Sequence, residues 1–228
     1  MRPVLHRPVI WLTLSGATAP LVLAGAILAE TVRERGVSAG QQSISLLSEG
    51  AQGGLLRLAE VVAGVLMILF AAGLFRTWSR RRGVPRAEAG VGLGLILTGL
   101  FIQQHLPPAG VFRVPSPFGY LTAIGLVHIV GAIVLYVSLF LAGMTAARTY
   151  PPSRPWGLMR TASALQTLCL VVLLPTFVVA AGLNGPSGWL ERGAALVAVI
   201  WQEVFAIHLL RCGVPPDPDA LSALELTI

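Results

Sequence analysis

Long apolar stretches, nearly free of charge, recur along the whole 228-residue chain, at 8–29, 55–75, 90–104, 120–146, 161–183 and 189–210. A bilayer core is about 30 Å thick and takes about 20 apolar residues as a helix. A backbone placed there must satisfy its own hydrogen bonds, which leaves helices and closed barrels. Runs of this length read as helices, so the sequence predicts an all-α polytopic membrane protein, a six-helix transmembrane bundle. The third run is the shortest and richest in glycine. Composition excludes the soluble alternative: charged residues are 11%, where a water-facing domain carries about 25%.

Arginines set the expected orientation. The net charge is +6, and all sixteen basic residues are arginine. They gather in short connections, as in the cytoplasmic loops of membrane proteins, so the excess gives no reason to expect nucleic acid. Arg2, Arg7, Arg76, Arg80, Arg81, Arg82, Arg86, Arg148, Arg154, Arg160 and Arg211 fall on one side of the six runs; Arg33, Arg35, Arg57, Arg113 and Arg192 fall on the other. The positive-inside rule then predicts both termini in the cytoplasm. Residues 1–211 form one bundle, with an outer loop at 30–54, and 212–228 form a short cytoplasmic tail. The first run follows Arg2 and Arg7 and passes Ala24-Gly25-Ala26, as a signal peptide would. It exceeds the roughly 7–15 apolar residues of such a peptide, and reads as an uncleaved anchor.

Ionisable groups in a membrane are costly and usually face the bundle interior, so their positions mark a candidate site. Glu60 lies a turn and a half inside the outer end of the second run, one turn after Arg57, a spacing at which the two can pair. Gln103, Gln104 and His105 end the third run, His128 lies two turns into the fourth, and Glu191 and Arg192 begin the sixth. Deeper stand Gln166 on the fifth and Trp201, Gln202 and Glu203 on the sixth. Residues eleven apart lie about 20° apart around a helix, which stacks Gln202 under Glu191 and Glu203 under Arg192. Glu203 reads as the most buried acid.

The candidate catalytic residues are Glu60, Glu203 and His128. The candidate substrate contacts are Arg57, Gln103, Gln104, His105, Gln166, Glu191, Arg192, Trp201 and Gln202. Each also has a structural alternative: an Arg57–Glu60 ion pair, His128 as a donor across a helix contact, the 103–105 group as a cap, and Glu191 as an acid favoured by a helix dipole. Trp11, Trp78, Trp156 and Trp189 sit near run ends, as an aromatic belt requires, whereas mid-span Trp201 could line a pocket. Cys169 and Cys212 form no CxxC, no HExxH occurs, and Asp217 and Asp219 lie in the tail. Neither a metal nor a cofactor is expected.

Four short patterns follow in order: Ile44-Ser45-x-Leu47, Gly92-x-Gly94-x4-Gly99-x-Phe101, His128-x-x-Gly131-Ala132, and Gly188-x-x-Glu191-Arg192 leading to Trp201. Together they resemble a bacterial membrane family catalogued as domain of unknown function 998, over about residues 12–210. The resemblance implies the six-span fold, the outer polar cluster and a bacterial cytoplasmic (inner) membrane. It implies no activity. Members of that family usually follow Gly-x-Phe with a proline and an aspartate, where this chain has Ile102-Gln103-Gln104-His105.

Two acids and a histidine at depth point to an intramembrane enzyme doing acid–base chemistry on a lipid-soluble, isoprenoid-like substrate. Proton-initiated cyclisation, with cations steered by aromatic faces, is one such reaction. The alternative is a non-enzymatic lipid-binding or accessory protein, whose small-residue faces would meet a second copy or another membrane protein. A proton-coupled transporter ranks third, since no inverted repeat or broken helix pair is visible. The expected partners are membrane lipids and a hydrophobic small molecule.

Overall fold

A helix in lipid gains nothing by hiding its leucines, so close packing falls to small residues while large aliphatic side chains turn outward. The computed structural model follows this rule; it describes residues 7–33, 40, 43–48, 53–78, 82–102, 122–153, 155–183 and 185–213. The elements are α1 (Arg7–Arg33), α2 (Ile44–Leu47), α3 (Gly54–Thr77), α4 (Gly83–Leu100), α5 (Ala123–Thr149), α6 (Trp156–Gly182) and α7 (Ser187–Cys212). On α6 the buried residues Trp156, Met159, Ser163, Gln166 and Leu170 recur every three or four positions, as one face of a helix does. Leu158, Leu165, Leu168, Val172 and Val179 on its other faces are all more than half exposed.

The long helices close a ring in chain order. α1 packs on α3, α3 on α4, α4 on α5, α5 on α6, α6 on α7, and α7 back on α1. Glycines set the tightest crossings. A Cβ on Gly64 would come within 2.6 Å of the Gly92 carbonyl oxygen, and one on Gly92 equally close to the Gly64 carbonyl oxygen. Gly94 meets the Leu135 backbone nitrogen in the same way, again at 2.6 Å, so α4 is wedged between α3 and α5. Gln166 Nε2 donates to the Leu139 carbonyl at 3.2 Å and braces α6 on α5. Trp201 Nε1 donates to Ser163 Oγ at 3.0 Å and braces α7 on α6. α6 runs unbroken across Pro175, as α1 does across Pro20.

Five helical stretches are long and apolar enough to cross a membrane: Ile10–Arg33, Gly54–Thr77, Ala123–Thr149, Trp156–Gly182 and Ser187–Cys212. α4 completes the ring but departs from its expected bounds. It begins at Gly83 rather than 90 and ends at Leu100 rather than 104. The early start is sterically allowed, because Pro85 occupies the first turn, where its missing N–H has no helical acceptor to lose. The shift carries Arg86 and Glu88 into the helix.

The aromatic belt is also only partly as expected. Trp11 and Trp189 are largely exposed, at 72% and 61%, but Trp78 and Trp156 are buried. With Phe70, Tyr150, Trp201 and Phe205 they fill the end of the ring where α3, α5 and α7 finish. Tyr150 and Trp156 have ring centroids 5.0 Å apart, and Trp201 stacks on Phe205 at 5.3 Å. A ring of helices must fill its own middle, and bulky rings do so at this end.

Candidate functional site

At the opposite end the middle of the ring is not filled, and α2 lies over it. Ser43 caps α2 by accepting from the Leu46 N–H at 3.3 Å. Ile44 and Leu47 seat on Ala26, Leu56 and Ala59 of α1 and α3. Two polar ties join this segment to α7. The Ile44 N–H donates to the Glu191 carboxylate, and the Gly188 N–H donates to the Gly40 carbonyl at 2.9 Å. The Tyr136 hydroxyl donates to Glu191 as well, so one carboxylate joins α7 to both α2 and α5.

Below α2 is a cavity of about 100 Å³ walled by α1, α2, α3, α4, α5 and α7. Its wall is mostly apolar, with Ser45, Glu60, Thr98, Tyr136, Glu191 and Gln202 as the polar exceptions. The volume far exceeds the roughly 10–15 Å³ that a single water needs. It is smaller than the roughly 300–1,000 Å³ that engulfs a drug-sized ligand. Glu60 and Glu191 are near enough to interact electrostatically. Glu60 Oε2 and both amide atoms of Gln202 are buried without a protein hydrogen-bond partner.

Of the residues singled out in the sequence, the fold brings Glu60, Glu191 and Gln202 to this one cavity, including the predicted stacking of Gln202 under Glu191. His128 stands just behind the wall. Its Nδ1 donates to the carbonyls of Phe101 at 2.7 Å and Thr98 at 3.2 Å, at the end of α4 where carbonyls lack helical donors. Its Nε2 faces Ser45 Oγ at 3.2 Å.

Other expectations need correction. Glu203 is not the most buried acid: Glu30 and Glu88 are fully buried, Glu191 and Glu60 nearly so, and Glu203 is only half-buried. On α7 the cavity is lined by Glu191, Ala195, Ala198, Val199 and Gln202, and Glu203 is not among them. Trp201 is likewise absent from the cavity lining and belongs to the aromatic cluster. Gln166 braces α5 and α6. Arg57 is near enough to Glu60 to attract it electrostatically, but its Nε has no hydrogen-bond partner and Glu60 lines the cavity. Arg192 donates from Nη1 to the Gly188 carbonyl, one turn back, at 3.1 Å. Gln103, Gln104 and His105 lie outside the described residues. Among the described residues no group of three or more His, Cys, Asp or Glu side chains is placed to hold a metal.

Tyr136 and Glu88 escaped the sequence reading, though a signal existed for each. Tyr136 continues the every-fourth-residue stripe that starts at His128 and passes Ala132. Glu88 precedes Val91, Leu95 and Thr98, cavity-lining residues of α4, by three, seven and ten positions. Both of its carboxyl oxygens are buried without a hydrogen-bond partner. An unsatisfied buried polar group costs about 1–3 kcal/mol. Glu88→Met, which fills similar volume without a polar atom, is therefore expected to stabilise the protein by that order. A thermal unfolding scan in detergent checks this; an unchanged or lower midpoint would show that Glu88 has a stabilising role.

A family model described as protein of unknown function (DUF998) matches residues 17–208. No curated protein and no solved structure matches the chain.

Proposed function

Starting from a chain that belongs to the DUF998 family, whose function is unknown, we propose that the cavity under α2 receives the polar, reacting end of a lipid-soluble molecule and performs acid–base chemistry on it. Glu60 and Glu191 act as the acid and base, and Gln202 orients the substrate. One observation carries this reading: Glu60 Oε2 and the whole Gln202 amide are buried on a mostly apolar wall with no protein partner. Such groups each cost about 1–3 kcal/mol unless something polar meets them. An apolar pocket with a few convergent polar groups is the usual form of a small-molecule site. Two carboxyl groups beside each other can divide the roles of proton donor and acceptor.

The cavity suits a reacting segment rather than a whole lipid, so the rest of the molecule extends into the membrane. Among the described residues Tyr136 is the sole aromatic on its wall. That favours carbonyl, ester or alcohol chemistry over cyclisation, which relies on aromatic faces to hold a cation. Neither His128 nor Glu203 lines the cavity, so both stand outside this acid–base pair. The arginine asymmetry supports an orientation with the α2 end outside, and the proposal takes the membrane to be the cytoplasmic membrane of a bacterium.

Mass spectrometry of lipids and metabolites in membranes expressing the protein tests the proposal. A compound formed by wild type is expected to fall by about 100-fold or more, the scale of a lost general acid or base, in Glu60→Gln and in Glu191→Gln, and to persist in Glu203→Gln. A co-purifying but chemically unchanged lipid would replace the enzyme with a lipid-binding protein. Full turnover in both cavity variants would remove the acid–base pair.

A further inference from the structure

We infer that Ser45 is a nucleophile activated by His128, which makes the substrate class a lipid acyl ester. The inference rests on the cavity reading above for where the polar end of the substrate is held, and it runs the proton transfers through His128 in place of Glu60 and Glu191. Three features of the geometry carry it. First, among the described residues the Ser45 hydroxyl has one hydrogen-bond partner, His128 Nε2 at 3.2 Å. That is the reach expected between a nucleophile and its general base in a resting site.

Second, the base is oriented by a third group. The Phe101 and Thr98 carbonyls can only accept, so Nδ1 carries the hydrogen and the ring is held with Nε2 toward Ser45. A carboxylate fills this place in the best-known triads, and a pair of main-chain carbonyls can do the same orienting work. Third, Ser45 lines the cavity, and its neighbour Ile44 is tied through its N–H to Glu191. The hydroxyl is thus fixed at the wall between its base and any occupant. A serine that only braced α2 would need neither a pre-oriented imidazole nor a place on the cavity wall.

The reaction balances without a cofactor. Ser45 Oγ bonds to the ester carbonyl carbon as its proton passes to His128 Nε2. The bond from that carbon to the alkoxy oxygen breaks, and the departing oxygen takes the proton from Nε2, so an alcohol leaves and an acyl-Ser45 ester remains. Water then attacks the same carbon, giving its proton to Nε2. As the bond to Ser45 Oγ breaks, that proton returns to Oγ and a carboxylic acid is released.

The test uses the purified full-length protein in detergent and a long-chain alkyl fluorophosphonate, a probe that phosphonylates activated serines. Wild type is expected to gain one adduct by intact mass, mapping to the peptide that holds Ser45. Ser45→Ala should gain none, and His128→Gln should react about 100-fold more slowly or worse. Size exclusion and thermal unfolding establish that each variant is folded, and the mapping in wild type needs no variant. A monodisperse wild type that takes up no probe, or takes it up at another residue, overturns the inference. Absence of an adduct beside a membrane product that depends on Glu60 removes Ser45 and leaves the acid–base pair standing. An adduct on Ser45 beside a product indifferent to Glu60 does the reverse.

Discussion

Gly92→Leu is expected to yield little or no folded protein, and Gly92→Ala a protein with a strongly lowered unfolding midpoint. A Cβ at Gly92 would lie 2.6 Å from the Gly64 carbonyl oxygen, 2.8 Å from Ile68 Cγ1 and 3.0 Å from the Ile68 nitrogen. Two of these three are backbone atoms and cannot swing aside, so α3 and α4 must part. Overpacking a well-fitted core costs about 1–3 kcal/mol where side chains can adjust, and more where they cannot. In lipid no hydrophobic force pulls the parted helices together again. The damage spreads, because α4 also meets α5 through Gly94 and supplies Val91, Leu95 and Thr98 to the cavity. Gly25→Ala is the control: nothing lies within 4 Å of a Cβ there, and an alanine gains about 1 kcal/mol of helix propensity over glycine. Size exclusion and thermal unfolding in detergent compare the three. A Gly92→Ala protein as stable as wild type would mean that the α3–α4 crossing is looser than the geometry shows.

The helical bundle was legible because its signal is local: each apolar window of span length reports on itself. The stacking of Gln202 under Glu191 was legible for a similar reason, since helical periodicity alone relates them. Which stripe of α7 faces inward was not, because Glu191–Gln202 and Arg192–Glu203 are equally regular and packing on α1 and α6 chooses between them. The bounds of α4 depended on whether Pro85 ended a connection or began a helix, and its sequence allows both. α2 has four residues, too few for any periodicity. Its hold on the bundle comes from contacts such as that of Ile44 with Glu191, 147 positions apart. Trp78 and Trp156 stand near helix ends, where belt and core use the same residue type; only the need to fill the ring decides between them.

Glu191→Ala is expected to loosen the cover of the cavity without unfolding the bundle, whereas Glu191→Gln should leave the cover nearly intact. The carboxylate accepts from the Ile44 N–H and from the Tyr136 hydroxyl, and alanine leaves both donors without that acceptor. Each such loss costs about 1–3 kcal/mol. The ring itself does not depend on this acceptor, since its helices cross at glycines and are braced by Gln166 and Trp201. The loss therefore falls on α2, a small unit that can open by itself. Hydrogen exchange of the 43–48 amides should accelerate by about tenfold for each 1.4 kcal/mol lost, while exchange in the middle of α3 and α5 stays unchanged. Glutamine keeps one carbonyl oxygen for the Ile44 N–H and so preserves the tie, yet it cannot exchange a proton with a substrate. The two variants thus separate the latch from the chemistry. A glutamine variant with wild-type exchange and no turnover makes Glu191 a proton carrier; equal loosening by both substitutions makes it a latch that only a carboxylate can close.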